Sequence, residues 1–104
     1  MFEILKKIFS ANENPSLKEI LPDAFLVDVR SRAEFTAGSV TGAVNIPLDS
    51  IMQNQNKFKG KKNIVVFCRS GMRSGQAKSI LEQLGYTHVF NGGPWQNVQQ
   101  QLSK

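Results

Sequence analysis

Short apolar runs alternate with polar, helix-forming stretches along the chain. Phe25–Val29 is an apolar run of strand length, and Ile64–Phe67 is a second, richer in β-branched residues. Ala43–Ile46 and His88–Phe90 are weaker strand candidates. Short continuous apolar runs suit strands covered on both faces, which predicts a parallel sheet with helices on both sides. Helix signals fall between these runs. Ser16-Leu-Lys-Glu19 and Ser31-Arg-Ala-Glu34 each place Glu three residues after Ser, the capping-box pattern. Gly38 is placed to end the second of these helices, and Asp49 to cap another running to about Phe58. The clearest helix spans Met72 to Leu84, with Ala77, Ile80, Leu81 and Leu84 at core-facing spacing and Gly85 as its stop. Pro94 suits the first turn of a last helix ending near Leu102. Strands alternating with helices make a small α/β fold.

A chain of 104 residues is one domain's worth of sequence, with 1–15 read as an extension and 16–104 as the core. No apolar run approaches the ~20 residues of a membrane-spanning helix. Met1–Phe9 is too short for a secretory signal and has no small-residue cleavage site, so the cytoplasm is the expected compartment. Phe2, Leu5 and Phe9 with Lys6 and Lys7 make a short amphipathic opening, expected to pack on the domain rather than lie on a membrane. One Cys and one His cannot build an intrachain disulfide, a CxxC pair or a structural zinc site, so neither metal nor cofactor is expected. The net charge of +5 favours an anionic partner. Lys57, Lys59, Lys61 and Lys62 crowd around Gly60, but no aromatic residues interleave with them. That cluster reads as a solvated loop before a strand, not as a nucleic-acid surface.

The chemistry concentrates in Ile64-Val-Val-Phe-Cys-Arg-Ser-Gly-Met-Arg-Ser74. A strand ends, the only cysteine follows, and a Gly-bearing loop with two arginines leads into a helix. Sites in open α/β sheets form beyond the carboxyl ends of strands, so Cys68 stands where a nucleophile would. Loop N–H groups at a helix N-terminus form an anion nest. With Arg69 and Arg73 they should favour thiolate over thiol and also hold an incoming oxyanion. The competing reading, a buried structural thiol, requires neither flanking cations nor a Gly-bearing turn. An activated sulfur in an anion cradle points to attack at sulfur, phosphorus or arsenic.

Cys68-Arg-Ser-Gly-Met-Arg73 resembles the active-site loop of the rhodanese family of sulfurtransferases. Leu26-Val-Asp-Val-Arg-Ser-Arg-Ala-Glu-Phe35 with Gly38 through Pro47 is similar to a second family signature, and Asn91-Gly-Gly-Pro-Trp95 to its glycine-pair-and-tryptophan segment. Ser39 and Thr41 depart from it, standing where the family often has His and Pro. The resemblance implies a small three-layer fold with a five-stranded, mostly parallel sheet flanked by helices. It implies a thiosulfate sulfurtransferase of the rhodanese type, with Cys68 as catalytic residue and Arg69, Ser70, Gly71, Met72 and Arg73 binding the substrate. The donor would be a small sulfur anion such as thiosulfate or a persulfide, the acceptor cyanide, a small thiol or a protein thiol, and the molecule a monomer. Related phosphatases carry Arg six residues after the cysteine. Here that position is Ser74, and Arg73 comes at five, so the shorter cradle favours a single sulfur over phosphate. Phosphate or arsenate chemistry, and a sulfur-carrier or binding module with little turnover, are the alternatives.

Asp28 and Arg30 end a strand beside the site. The residues alone favour a strand-end ion pair, while the resemblance keeps both as loop-supporting candidates. His88 follows the Gly85-Tyr86-Thr87 turn and is expected at the surface, at the end opposite Cys68. Trp95 reads as packing before pocket wall, and Gly92-Gly93 as a source of turn dihedrals.

Overall fold

The apolar runs all become strands: β1 is Ala24–Asp28, β2 is Val44–Asn45, β3 is Asn63–Cys68 and β4 is Val89–Pro94. They lie in the order β2-β1-β3-β4 with every pairing parallel. The structure is a computed structural model describing residues 16–103, so the amphipathic opening lies outside the described residues. The helices are α1 (Leu17–Ile20), α2 (Arg32–Ala37), α3 (Met72–Gln83) and α4 (Trp95–Ser103). None of the described helices is long and apolar enough to cross a membrane.

The expected strand count is corrected. The sheet has four strands among the described residues, not five. Among the described residues, the segment preceding β1 has no apolar run free to pair. Ser16 and Glu19 close a full capping box on α1, and Pro22 sits in the 3-10 turn Leu21–Asp23 that follows directly.

Alternation along β3 divides the core into two layers. Ile64, Val66 and Cys68 pack with Ala77 and Leu81 of α3, along with Val27, Ile46, Ile51 and Phe58. Val65 and Phe67 face the other way, onto Val98 of α4 and Ile20 and Leu21. All six β3 residues are buried, as a central strand covered on both sides requires. Each large side chain fully buried here is worth roughly 1.5–3 kcal/mol.

The second capping box also forms: Ser31 Oγ accepts from Glu34 N–H, and Glu34 returns a bond to Ser31 N–H, with Gly38 as C-cap. Asp49, by contrast, caps no helix. It lies inside the 3-10 turn Leu48–Ser50, and the next 3-10 segment, Met52–Phe58, breaks at Asn54. Asn54 Nδ2 donates to Ser50 O and Gln55 Nε2 to Met52 O, side-chain bonds that compete with a regular helical ladder. Pro94 ends β4 opposite Cys68 instead of opening the last helix, which starts one residue later. Having no N–H, it is tolerated there because β4 is an edge strand.

The glycine pair does two different things. The β3–β4 register shifts between Val66 and Phe67, which pair with Asn91 and Gly93 and leave Gly92 as the extra residue of a bulge. Gly93 supplies a positive φ of 75°. Gly92 instead permits close packing, since an added Cβ would meet Val98 Cγ2 at 2.6 Å.

Candidate active site

Cys68 is the last residue of β3, at the carboxyl edge of the sheet, and its side chain has no exposed surface. The chain then turns through Arg69 and Ser70, both exposed, to Gly71 at the N-cap of α3. Gly71 adopts the left-handed region at φ 101°, and an added Cβ would approach Gly93 Cα to 3.4 Å. This turn aims Gly71 N–H at Cys68 Sγ, 2.9 Å away. One turn further, Ser74 N–H donates to Sγ at 3.4 Å, and the Ser74 hydroxyl lies 3.3 Å from it.

Two opposing effects act on the thiol. Burial, the largest single influence, pushes its pKa up. The Ser74 hydroxyl and the backbone N–H groups of Ser74, Gly71 and Ser70 together outweigh burial, and the pKa is lowered from 9.0. The positive end of α3 acts in the same direction.

A second layer fixes these donors. Asn91 Oδ1 accepts from Ser74 Oγ at 2.7 Å and from Gly93 N–H at 2.9 Å. Its Nδ2 donates to Gly71 O at 3.0 Å. Asn91, beside the bulge in β4, thereby ties Gly71 and Ser74 to the strand. The sequence marks Ser74 only by its spacing from Cys68 and Asn91 only as part of the glycine-pair segment, and gives neither a role at the sulfur. A polar residue immediately before the glycine pair is the only local hint of Asn91's role.

Arg73 pairs with Glu34 of α2. Its Nη1 donates to Oε1 at 2.8 Å and Nη2 to Oε2 at 3.1 Å. The Arg73 guanidinium, helped by Ser31 N–H, holds the Glu34 carboxyl at about 2, far below its usual 4.5. The hydrogen bonds to Glu34 reciprocally raise the pKa of Arg73. Glu34 enters the sequence reading only as a capping residue. Beside the loop lies a pocket of 280 Å³ lined by Val29, Ser31, Pro47, Leu48, Asp49 and Arg73. Met72 is 77% exposed and projects from the first turn of α3.

Asp28 and Arg30 form a buried, forked ion pair. Arg30 Nη2 reaches Asp28 Oδ2 at 2.6 Å, and Nε lies 2.9 and 3.0 Å from the two carboxylate oxygens. Arg30 Nη2 also donates to Gly38 O, and its guanidinium lies 5.2 Å from the centre of the Trp95 ring. Neither side chain hydrogen-bonds to residues 68–73 among the described residues. Ser39 Oγ donates to Asp28 Oδ2 at 2.7 Å, so this departure from the family pattern still supplies a donor to the carboxylate. Thr41 N–H donates to Gln99 Oε1, which the usual Pro could not do. Trp95 is half-buried against the second core layer, as a packing residue would be.

His88 is exposed, and its carbonyl accepts from Ile64 N–H at the start of β3, the end opposite Cys68. Lys57, Lys59, Lys61 and Lys62 are all exposed, with Lys61 over the Phe25 ring at 4.7 Å.

Comparison with known proteins agrees with this geometry. Residues 12–93 match the rhodanese-like domain family. The chain is 39% identical over 74 residues to the thiosulfate sulfurtransferase PspE of Escherichia coli, covering 69% of this chain and 71% of that one. It is 38% identical over 93 residues to the human thiosulfate:glutathione sulfurtransferase, covering 74% and 81%. The match spans only about half, 54%, of YqhL, an uncharacterized Bacillus subtilis protein with 38% identity. A solved structure described as rhodanese with anions from Escherichia coli superposes with a TM-score of 0.65 at 38% identity, over 71% of this chain and 89% of that one. With the sulfur at the strand end, its loop donors and a family match across most of its length, the chain belongs to the rhodanese-like domain family.

Proposed function

We propose that this protein is a sulfurtransferase that carries sulfane sulfur on Cys68. The observation that supports it most is the convergence of Gly71 N–H and Ser74 N–H on one sulfur atom, with the Ser74 hydroxyl 3.3 Å from it. Such a group of donors stabilises a thiolate before attack and a terminal persulfide sulfur's charge after it. The names of the relatives support the same activity, and the human relative's name couples thiosulfate to a thiol acceptor.

In the first half-reaction the Cys68 thiolate attacks the outer sulfur of a donor such as thiosulfate. The S–S bond of the donor breaks, its electron pair leaves on sulfite, and Cys68 holds a persulfide. In the second, cyanide or a thiolate attacks the outer persulfide sulfur and the thiolate of Cys68 is regenerated. No net oxidation or metal is involved. The chain has one cysteine, so no internal thiol can collect the sulfur and transfer is to another molecule. Arg69 and Arg73 carry the positive charge for the donor's oxygens, Ser70 and Gly71 contribute loop N–H groups, and Met72 borders the entrance. The pocket beside Arg73 offers room for the part of donor or acceptor that stays outside the loop. A monomer in the cytoplasm, where thiols stay reduced, completes the reading, and sedimentation and cell fractionation check it.

Double displacement predicts ping-pong kinetics. Initial rates with thiosulfate and cyanide varied together should give parallel double-reciprocal lines. Intersecting lines would show that donor and acceptor must be bound together, against a free persulfide intermediate.

A further inference from the structure

Arg73 can meet a donor only in competition with a carboxylate already bound to it. Glu34 takes both of its terminal nitrogens, at 2.8 and 3.1 Å, in the planar fork geometry that an incoming oxyanion would also need. Glu34 is itself fixed: Ser31 N–H and Ser31 Oγ each donate to its Oε1 at 3.1 Å, within the first turn of α2. Asp49 lines the pocket that Arg73 also lines. The Arg73 guanidinium thus has one carboxylate bound to it and shares its pocket with a second acidic residue. Arg69 is exposed and pairs with no carboxylate among the described residues, which leaves it as the loop's free cation.

We propose that Glu34 competes with the donor for Arg73, so that the site prefers donors carrying a single negative charge, such as thiosulfonates and persulfides, over doubly charged thiosulfate. This rests on the sulfurtransferase reading. The chemistry balances as before: methanethiosulfonate would pass its outer sulfur to the Cys68 thiolate and leave as methanesulfinate. Glu34 touches neither sulfur nor donor in the resting site, so it is a specificity-determining residue that acts through Arg73.

The test measures kcat/KM for thiosulfate and for methanethiosulfonate with cyanide as acceptor. On the unaltered protein, the methanethiosulfonate-to-thiosulfate ratio is divided by the same ratio for mercaptoethanol thiolate, which removes intrinsic reactivity. A corrected ratio well above one is expected, and a ratio at or below one overturns the proposal. Glu34→Gln removes the charge while Gln can still serve the capping box. It should raise kcat/KM for thiosulfate about tenfold, as unmasking one nearby charge allows, and that for methanethiosulfonate about threefold or less. A fall for thiosulfate would mean that Glu34 merely orients Arg73, and equal changes for both donors would exclude charge selection. Ser31→Ala, which loosens the cap without changing charge, should leave the donor ratio unaltered, and a matching change there would overturn the assignment to charge. If neither donor leaves sulfur on Cys68 by intact mass, sulfur transfer itself fails and this proposal with it.

Discussion

Ser74 presents both its backbone N–H and its hydroxyl to the sulfur of Cys68, at 3.4 and 3.3 Å. A residue in the first turn of α3 thus joins the loop in surrounding the sulfur, while Asn91 accepts from the same hydroxyl on the neighbouring strand. Replacing Ser74 with Ala deletes the hydroxyl and keeps the N–H. Because that hydroxyl lowers the Cys68 pKa, the pH profile of iodoacetamide alkylation should move to higher pH in Ser74→Ala. Loss of a hydrogen bond to a charged group should slow alkylation near neutral pH about tenfold. An unmoved profile would mean that the backbone donors suffice.

Arg73 and the sulfur can be separated kinetically. Arg73→Ala should weaken thiosulfate turnover more than it slows alkylation by the uncharged iodoacetamide, since it removes a cation and leaves the Glu34 charge unpaired. A drop of about tenfold in kcat/KM is the scale expected for one charged contact. Equal losses in both measurements would place the effect on the thiolate instead.

The Glu34–Arg73 pair also links stability to pH. The folded-state pKa of Glu34 is depressed to about 2 from 4.5, so its contribution is complete above 4.5 and is lost as pH falls toward 2. The partners' side chains are 31% and 36% exposed, so solvent screening limits the contribution to about 1 kcal/mol or less. Urea midpoints of the native protein and Glu34→Gln should differ at pH 7 and converge near pH 2. A gap that persists in acid would have to arise from helix capping.

Asp28 distinguishes a scaffold role from a loop-supporting one. Its carboxylate is buried and bound by Arg30 and Ser39. Asp28→Asn leaves the Arg30 charge buried without its counter-ion and should cost about 3–5 kcal/mol of stability. No hydrogen bond ties the pair to the cysteine loop among the described residues, so the folded fraction should keep its alkylation pH profile. A shifted profile would make the pair part of the loop's support.

Features written in neighbouring residues were legible from the sequence. The two capping boxes span four residues each, and both form. The apolar runs around Phe25 and Ile64 became the central strands because a doubly covered strand needs nothing more than continuous apolar character. The position of Cys68 at a strand end, before a helix, followed from the same pattern. What escaped depends on tertiary contact. Glu34 lies 39 residues from Arg73, and Asn91 lies 17 from Ser74, so neither pairing has a local signal. Asp49 misled because a good capping residue cannot make a helix where Asn54 and Gln55 side chains satisfy the backbone instead. The fifth strand was carried by resemblance alone, and no apolar run in the described residues corresponds to it.

Intact-protein mass after thiosulfate treatment tests most directly whether Cys68 carries sulfur. The protein should gain about 32 Da, one sulfur atom, that cyanide removes and that Cys68→Ser does not acquire, the mark of a covalent intermediate. An unchanged mass in the native protein, or the same gain in Cys68→Ser, would contradict it.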